Sequence, residues 1–191
     1  MINYLYSIDV AIFYFINHTL SNPVLDWLMP FLTNLNKDKF FVALVIVFIV
    51  FLLIRGDRTV RVTVGLLIVT ILLSDQISSF IIKPLVGRIR PCAVLADVRL
   101  LVDCGSGLSF PSSHAVNNFA GATLITRFYP KQKVYWFSFA SLIALSRPYV
   151  GVHYPSDIVA GGIIGSLIAV LVYALWRILE RTYFQKNLFQ I

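Results

Sequence analysis

The sequence predicts an all-α fold, a polytopic integral membrane bundle of five or six transmembrane helices. Three observations carry that expectation. Of the 191 residues, 58% are hydrophobic and 13% charged, against about 45–50% and about 25% in soluble domains. Mean hydropathy is +0.81. The apolar residues are gathered into runs that approach the ~17–25 needed to cross a bilayer, with short polar stretches between them. A disordered chain, a small disulfide scaffold and most water-soluble enzymes are excluded by the same numbers. One domain over 1–191 is expected, because the crossings and their short loops use nearly the whole length. Within it, 1–36 supply N-terminal helices and 37–191 the helical core.

Taken in order, Met1–Leu20 is apolar but carries Asp9, Asn17 and His18, and Ser21-Asn22-Pro23 breaks it. Val24–Leu35 then continues as a second short helix with Asp26 and Trp27. This pair is either a sixth crossing or a pair of interfacial helices with aromatic anchors, and at least one segment is expected in the interface. No basic leader or small-residue cleavage site marks a signal peptide. Phe40–Ile54 is apolar throughout but short. Val60–Ile82 is long enough to cross, and its second half turns polar with Ser74, Asp75, Gln76, Ser78 and Ser79. Asp75, an ionisable residue inside a crossing, is read as structural support beneath the polar end. Pro111–Tyr129 and Lys133–Tyr149 reach crossing length only when their polar ends are counted. In the fifth segment, Asp157–Leu179, Gly161, Gly162 and Gly165 are read as close-packing positions.

Alternating crossings bring two loops to one face. If Val60–Ile82 exits outward, Lys83–Phe110 lies outside, the next two helices return through a turn at Pro130–Lys133, and Pro148–Ser156 lies outside as well. The opposite face collects Arg55, Arg58, Arg61, Arg127, Lys131, Lys133, Arg177, Arg181 and Lys186, which makes it cytoplasmic by the positive-inside rule. The expected location is therefore the inner (plasma) membrane, with the polar loops facing the periplasm or exterior. The net charge of +7 then fits anionic lipid headgroups or a phosphate-bearing substrate rather than nucleic acid. Cys92 and Cys104, the only cysteines, both fall in the outer loop. They close a ring in an oxidising compartment and stay free thiols in a reducing one.

Three polar clusters interrupt the apolar sequence: Lys83 to Arg90-Pro91, Pro111-Ser112-Ser113-His114, and Ser146-Arg147 through His153 to Asp157. Singly, each has an ordinary reading as snorkelling cations, a helix N-cap or a structural histidine. Together they describe an oxyanion site. Ser112 and Ser113 open a helix and bring hydroxyls, unpaired N–H groups and the positive end of its dipole. Lys83, Arg90 and Arg147 add cations, and guanidinium forks match phosphate oxygens. His114 and His153 allow one imidazole to attack while the other gives up a proton. Asp157 lies four residues after His153, close enough to fix its tautomer. No metal-ligand pattern accompanies these residues, and phosphate clamped by cations needs none, so no metal or other cofactor is expected. Arg88 and Arg99 are read as headgroup or substrate contacts, and Tyr149 and Tyr154 as interfacial anchors.

The order and spacing of Lys83-x6-Arg90-Pro91, Pro111-Ser112-x-His114 and Ser146-Arg147-x5-His153-x3-Asp157 resemble the three-part signature of the type 2 phosphatidic acid phosphatase superfamily. The resemblance implies a metal-independent phosphomonoesterase or pyrophosphatase that works through a phosphohistidine. It assigns His153 as nucleophile, Asp157 as its orienting partner and His114 as general acid. Lys83, Arg90, Ser112 and Arg147 would hold the phosphoryl oxygens, aided by the N–H groups of Ser113 and His114. Ser113 departs from the pattern, which usually has Gly there, so a Cβ narrows the space beside the phosphate. The substrate expected is a membrane lipid phosphate or diphosphate, of the lipid A 1-phosphate, undecaprenyl diphosphate or phosphatidylglycerophosphate class. The rival reading is a non-catalytic lipid-phosphate transporter or scaffold that keeps the anion pocket. Binding alone needs only the cations, so the two histidines and Asp157 weigh against it.

Overall fold

In the computed structural model, which describes residues 2–188, every regular element is helical. Met1, residues 189–191 and the side chain of Lys186 lie outside the described residues. The chain runs through α1 (Ile2–Tyr14, continued as a π-helical turn over Phe15–Thr19), α2 (Pro23–Asn34), α3 (Lys39–Arg55) and α4 (Arg58–Gln76). The last of these continues through a π-helical stretch, Ile77–Ile82, into the short α5 (Lys83–Val86). After the turn α6 (Pro91–Val94) come α7 (Ser113–Phe128), α8 (Lys133–Tyr149) and α9 (Pro155–Leu188). These bounds track the apolar runs closely, except that α9 extends nine residues past the Leu179 expected from hydropathy.

Local chemistry sets the breaks. Side chains of Asn22, Asp38 and Asp57 accept from the N–H of Leu25, Phe41 and Val60 at 3.0, 2.7 and 2.8 Å, each cap contributing about 1 kcal/mol. Gly87, at φ 65°, closes α5 in the left-handed conformation that a Cβ disfavours. Pro155 opens α9, where its missing N–H costs nothing.

Helix α7 is the centre of the bundle, packed against α4, α8 and α9, with Ala115, Val116, Ala120, Gly121, Ala122 and Leu124 buried. Around it the polarity is inverted relative to a soluble protein. No residue of α3 is buried although the helix is almost wholly apolar. In α1 the buried residues include Asp9, Phe13 and Asn17, a stripe at helical spacing, while Leu5, Ile8, Ile12 and Phe15 face outward. An apolar exterior of this extent requires a lipid solvent. By length and composition two stretches, Arg58–Val94 and Pro155–Tyr183, are long and apolar enough to cross a membrane. α3, α7 and α8, at 17, 16 and 17 residues, span roughly 25 Å at 1.5 Å per residue, short of the hydrocarbon thickness unless their polar ends take part.

The glycines of α9 let it press onto α7. A Cβ at Gly165 would stand 2.0 Å from the Val116 carbonyl oxygen, and one at Gly161 would stand 2.9 Å from the Ser112 oxygen. At Gly162 it would meet only the Phe119 ring, at 3.3 Å. Gly165→Ala is expected to cost about 1–3 kcal/mol through forced separation of the two backbones. Gly162→Ala should cost less, because a side chain can give way. Thermal unfolding in detergent reads both, and equal losses would refute this packing account.

Candidate active site

The ends of four elements converge at one end of the bundle: the exit of α4–α5, the start of α7, the end of α8 and the start of α9. The main chain welds two of them directly, since Ser112 N–H donates to the Asp157 carbonyl at 3.1 Å. At the far end, Arg58 at the start of α4 reaches Glu180 near the end of α9 at 3.6 Å. The motif residues thus share one pole and the basic helix ends share the other.

Two of the cations are held by backbone carbonyls. Lys83 Nζ donates to the Leu108 carbonyl at 3.1 Å, and Arg90 donates through Nε to Gly107 O at 2.9 Å and through Nη1 to Cys104 O at 2.5 Å. The loop offering those carbonyls is tied back by a Cys92–Cys104 disulfide with Cα atoms 6.1 Å apart. Lys83 interacts electrostatically with Arg90, Arg147 and Asp157, so the three cations lie in one field. Arg147 is buried, with Nη1 bonded to Thr33 Oγ1 and Nε without a partner in the protein. Ser112 sits at the N-cap of α7, yet its hydroxyl caps nothing and is also buried and unpartnered. Buried polar atoms are rarely left unpaired. A donor on Arg147 and a hydroxyl at a helix N-terminus are thus both left unspent, and both are groups of the kind that bind anions.

His153, 2% exposed, lies in the loop between α8 and α9. Its Nδ1 is 3.4 Å from both Asp157 Oδ2 and Ser109 Oγ. The Ser109 hydroxyl gives its only hydrogen to Asp157 Oδ2 at 2.5 Å. Nδ1 must therefore be the protonated ring nitrogen, which leaves the Nε2 lone pair free. Burial pushes the imidazole down from its ordinary 6.5 to about 4, with Arg147 and Arg90 adding to the push and Asp157 opposing it. At neutral pH the ring is uncharged, with a lone pair available at Nε2. As pH falls through about 4 it takes up a proton, and on this account activity is lost on the acid side. Histidine-selective NMR in detergent should show a midpoint well below 6.5, and Asp157→Asn should lower it further by removing the group that favours the imidazolium. A midpoint at or above 6.5 would contradict this assignment.

Asp157 is itself fixed from three sides. Tyr154 N–H donates to Oδ2 at 2.9 Å, Ser109 donates to the same oxygen, and Arg88 Nη1 donates to Oδ1 at 2.7 Å. Arg88 Nη2 in turn pairs with Asp9 Oδ2 at 2.6 Å, and Asp9 Oδ1 accepts from Ser156 N–H at 2.9 Å. Arg88 is thus an internal clamp and not the headgroup contact expected from sequence. Arg99 is likewise spent inside the protein, donating to both oxygens of Asp26 at 2.8 Å. Tyr149 and Tyr154 are 2% and 1% exposed and therefore not interfacial anchors. Tyr149 Oη donates to Asp26 at 2.6 Å, and Tyr154 lies under the Arg88 guanidinium at 3.9 Å and against Phe13. Burial under α1 and α2 overrides the interfacial preference of tyrosine.

His114, in the first turn of α7, interacts electrostatically with His153 and Arg147, so the two histidines share one electrostatic neighbourhood. Its Nε2 lies 3.1 Å from the Thr33 carbonyl. A carbonyl only accepts, so Nε2 carries a hydrogen. The Ser113 hydroxyl faces Ser78 Oγ at 3.3 Å, leaving its N–H as the group turned to the helix terminus. Asp75 accepts from Asn117 Nδ2 at 3.3 Å. Among the described residues, no three His, Cys, Asp or Glu side chains come together as a metal centre. Sequence reasoning missed Asp9, Thr33, Arg88 and Ser109 as parts of this site. Only Asp9, a carboxylate inside an apolar run, carried a visible signal.

The profile of the PAP2 superfamily matches residues 63–181, which contain every motif residue of the pocket. The chain belongs to the PAP2 superfamily. Among its relatives, the lipid A 4'-phosphatase of Bacteroides thetaiotaomicron is 31% identical over 182 residues, covering 91% of this chain and 79% of that protein. Among solved structures, Aquifex aeolicus LpxE superposes with a TM-score of 0.70 at 26% identity, covering 86% of this chain and 94% of that one. The PAP2-type phosphatidylglycerolphosphate phosphatase of Bacillus subtilis gives 0.66 at 25%, covering 92% and 87%. This PAP2 protein is accordingly a membrane phosphatase, built on the helical fold of those enzymes.

Proposed function

We propose that this protein is a single-domain, metal-independent lipid phosphatase that removes phosphate from a lipid phosphate or diphosphate through a phosphohistidine. The observation that carries the reading is the His153 ring, with Nδ1–H turned to Asp157 and Ser109, Nε2 left free, and the ring in the field of Arg147 and Arg90. The Nε2 lone pair forms a bond to phosphorus as the phosphorus–oxygen bond to the alcohol breaks, and the electrons of that bond pass to the leaving oxygen. His114, as the imidazolium, supplies the proton through Nδ1, the ring nitrogen that Thr33 does not hold, and is left neutral. Water then attacks phosphorus, His114 takes the water proton, and the nitrogen–phosphorus bond breaks to restore His153. The cations, Ser112 and the N–H groups of Ser113 and His114 stabilise the charge on the phosphoryl oxygens throughout.

A pole that meets headgroups in the plane of the same bilayer suits a lipid substrate of the lipid A phosphate, undecaprenyl diphosphate or phosphatidylglycerophosphate class. The names of the related phosphatases support that range. The basic far pole supports an inner-membrane protein of five or six crossings with its pocket facing the periplasm or exterior. Phosphate release from detergent-dispersed lipid phosphates, measured with EDTA present, tests the reading. Turnover should persist in EDTA and be blocked by vanadate, which takes the five-coordinate geometry of the transition state. Binding without turnover would favour the scaffold, and loss of activity in EDTA would favour a metal.

A further inference from the structure

Behind His114 a cavity of about 330 Å³ opens between α2, α3, α4, α7 and α8, within the range of about 300–1,000 Å³ typical of small-molecule sites. His114 and Thr33 form its inner wall, Phe41 and Phe139 line an apolar side, and Asp75 and Asn117 form a polar side. Phe41 and Phe139 are 38% and 43% exposed, so that side opens to the lipid-facing surface. None of the residues lining the cavity is Lys or Arg. Arg147, bonded to Thr33, and Lys83, in the field of Asp75, are not among the lining residues.

We propose that this cavity receives the leaving group, and that Asp75 and Asn117 select an uncharged, hydroxyl-rich alcohol, a sugar or a glycerol, over the second phosphate of a lipid diphosphate. The inference rests on His114 as the acid of the proposed reaction. The oxygen it protonates lies against the imidazole, so whatever that oxygen carries extends into the space the imidazole lines. Asp75 and Asn117 present acceptors there, beside the mixed polar groups of Asn36, Ser113 and Asn118. The Asp75 carboxylate has taken one hydrogen bond, from Asn117 Nδ2 at 3.3 Å, and Asn117 Oδ1 is buried without a partner. Hydroxyls satisfy both oxygens by donating. A phosphate brings only acceptors and negative charge to a cavity lined by a carboxylate and by no Lys or Arg. The apolar side gives the acyl chains, attached beyond the polyol, a route to the bilayer.

The test compares kcat/KM in detergent for four lipids: a lipid A phosphate, phosphatidylglycerophosphate, phosphatidic acid and a prenyl diphosphate. Wild-type protein should favour the two polyol substrates over the diphosphate by about 10²-fold or more, since sites built to hydrogen-bond a hydroxyl discriminate strongly against analogues lacking it. Whichever polyol leads identifies the headgroup. Asp75→Asn should reduce the polyol-to-diphosphate ratio at least about tenfold, mostly through KM of the polyol arm and with a gain on the diphosphate. Asn117→Ala should move the ratio the same way, and thermal unfolding confirms that each variant is folded. A wild-type preference for the diphosphate, or variants that slow all four substrates equally, overturns the subsite while leaving the phosphatase intact. Absence of turnover on every substrate overturns the phosphatase reading itself.

Discussion

Replacing His153 with Gln is expected to lower turnover at least about 10⁴-fold, the scale on which removal of a nucleophile acts, without unfolding the protein. The fold survives because Asp157 keeps its bonds to Ser109, to the Tyr154 N–H and to Arg88 when the imidazole is gone. Rapid acid-free quenching of wild-type protein with labelled substrate should trap phosphate in a linkage stable to alkali and lost in acid, as phosphorus–nitrogen bonds are. The Gln variant should trap none. His114→Gln provides the contrast, because an acid matters in proportion to how badly the leaving oxygen needs a proton. Its loss should be large on lipid substrates and shrink on p-nitrophenyl phosphate, whose leaving group departs unprotonated. The His153 variant should be equally inactive on both. Trapped label in His153→Gln, or a penalty that tracks leaving-group basicity there and not at His114, would reverse the two roles.

How much of this was legible in the sequence follows from the range of the interactions involved. The helices were legible because a lipid solvent turns each one into an apolar run, and α3, α7 and α8 lie within a few residues of their hydropathy bounds. The grouping of the motif residues at one end of the bundle was legible because few other polar residues compete for attention in this chain, and their reading as an anion pocket follows from the cations, helix N-terminus and imidazole that phosphate chemistry demands. What stayed hidden are the partners that long-range packing supplies. Thr33 meets Arg147 and His114, 114 and 81 residues away, and no local spacing announces such a contact. Ser109 stands two residues before the Pro111 motif and looks like loop. Arg88, between Lys83 and Arg90, reads as one more snorkelling cation until Asp9 and Asp157 are found on either side of it. Tyr149 and Tyr154 mislead for the opposite reason, since their amphipathic rings suit a membrane interface equally well when nothing covers them.

Arg88→Gln is the second large expected effect, and it tests whether the N-terminal helix takes part in the reaction. The guanidinium bridges Asp9 and Asp157, whose side chains are 10% and 0% exposed. Removing it leaves two buried carboxylates without a direct ion-pair partner, a loss of about 3–5 kcal/mol for a broken buried pair. Arg88 and Asp9 are positioning residues, since Arg88 is spent on Asp157, Ser156 and Asp9, and Asp9 on Arg88 and Ser156. They act by holding Asp157 against Nδ1, so kcat should fall about 10–100-fold, as it does when supporting partners of a functional histidine are lost, with KM nearly unchanged. The cycle with Asp9→Asn separates this from general instability. Once Asp9 is neutral, one of the stranded charges is gone, so the double variant should be more stable than the sum of the single losses predicts. Arg88→Lys should restore part of the stability through its charge but less of kcat, because a single ammonium cannot hold both carboxylates in the fork geometry of a guanidinium. Strictly additive losses, or a kcat that follows thermal stability alone across the four proteins, would show that α1 merely covers the site and that Asp157 is oriented without it.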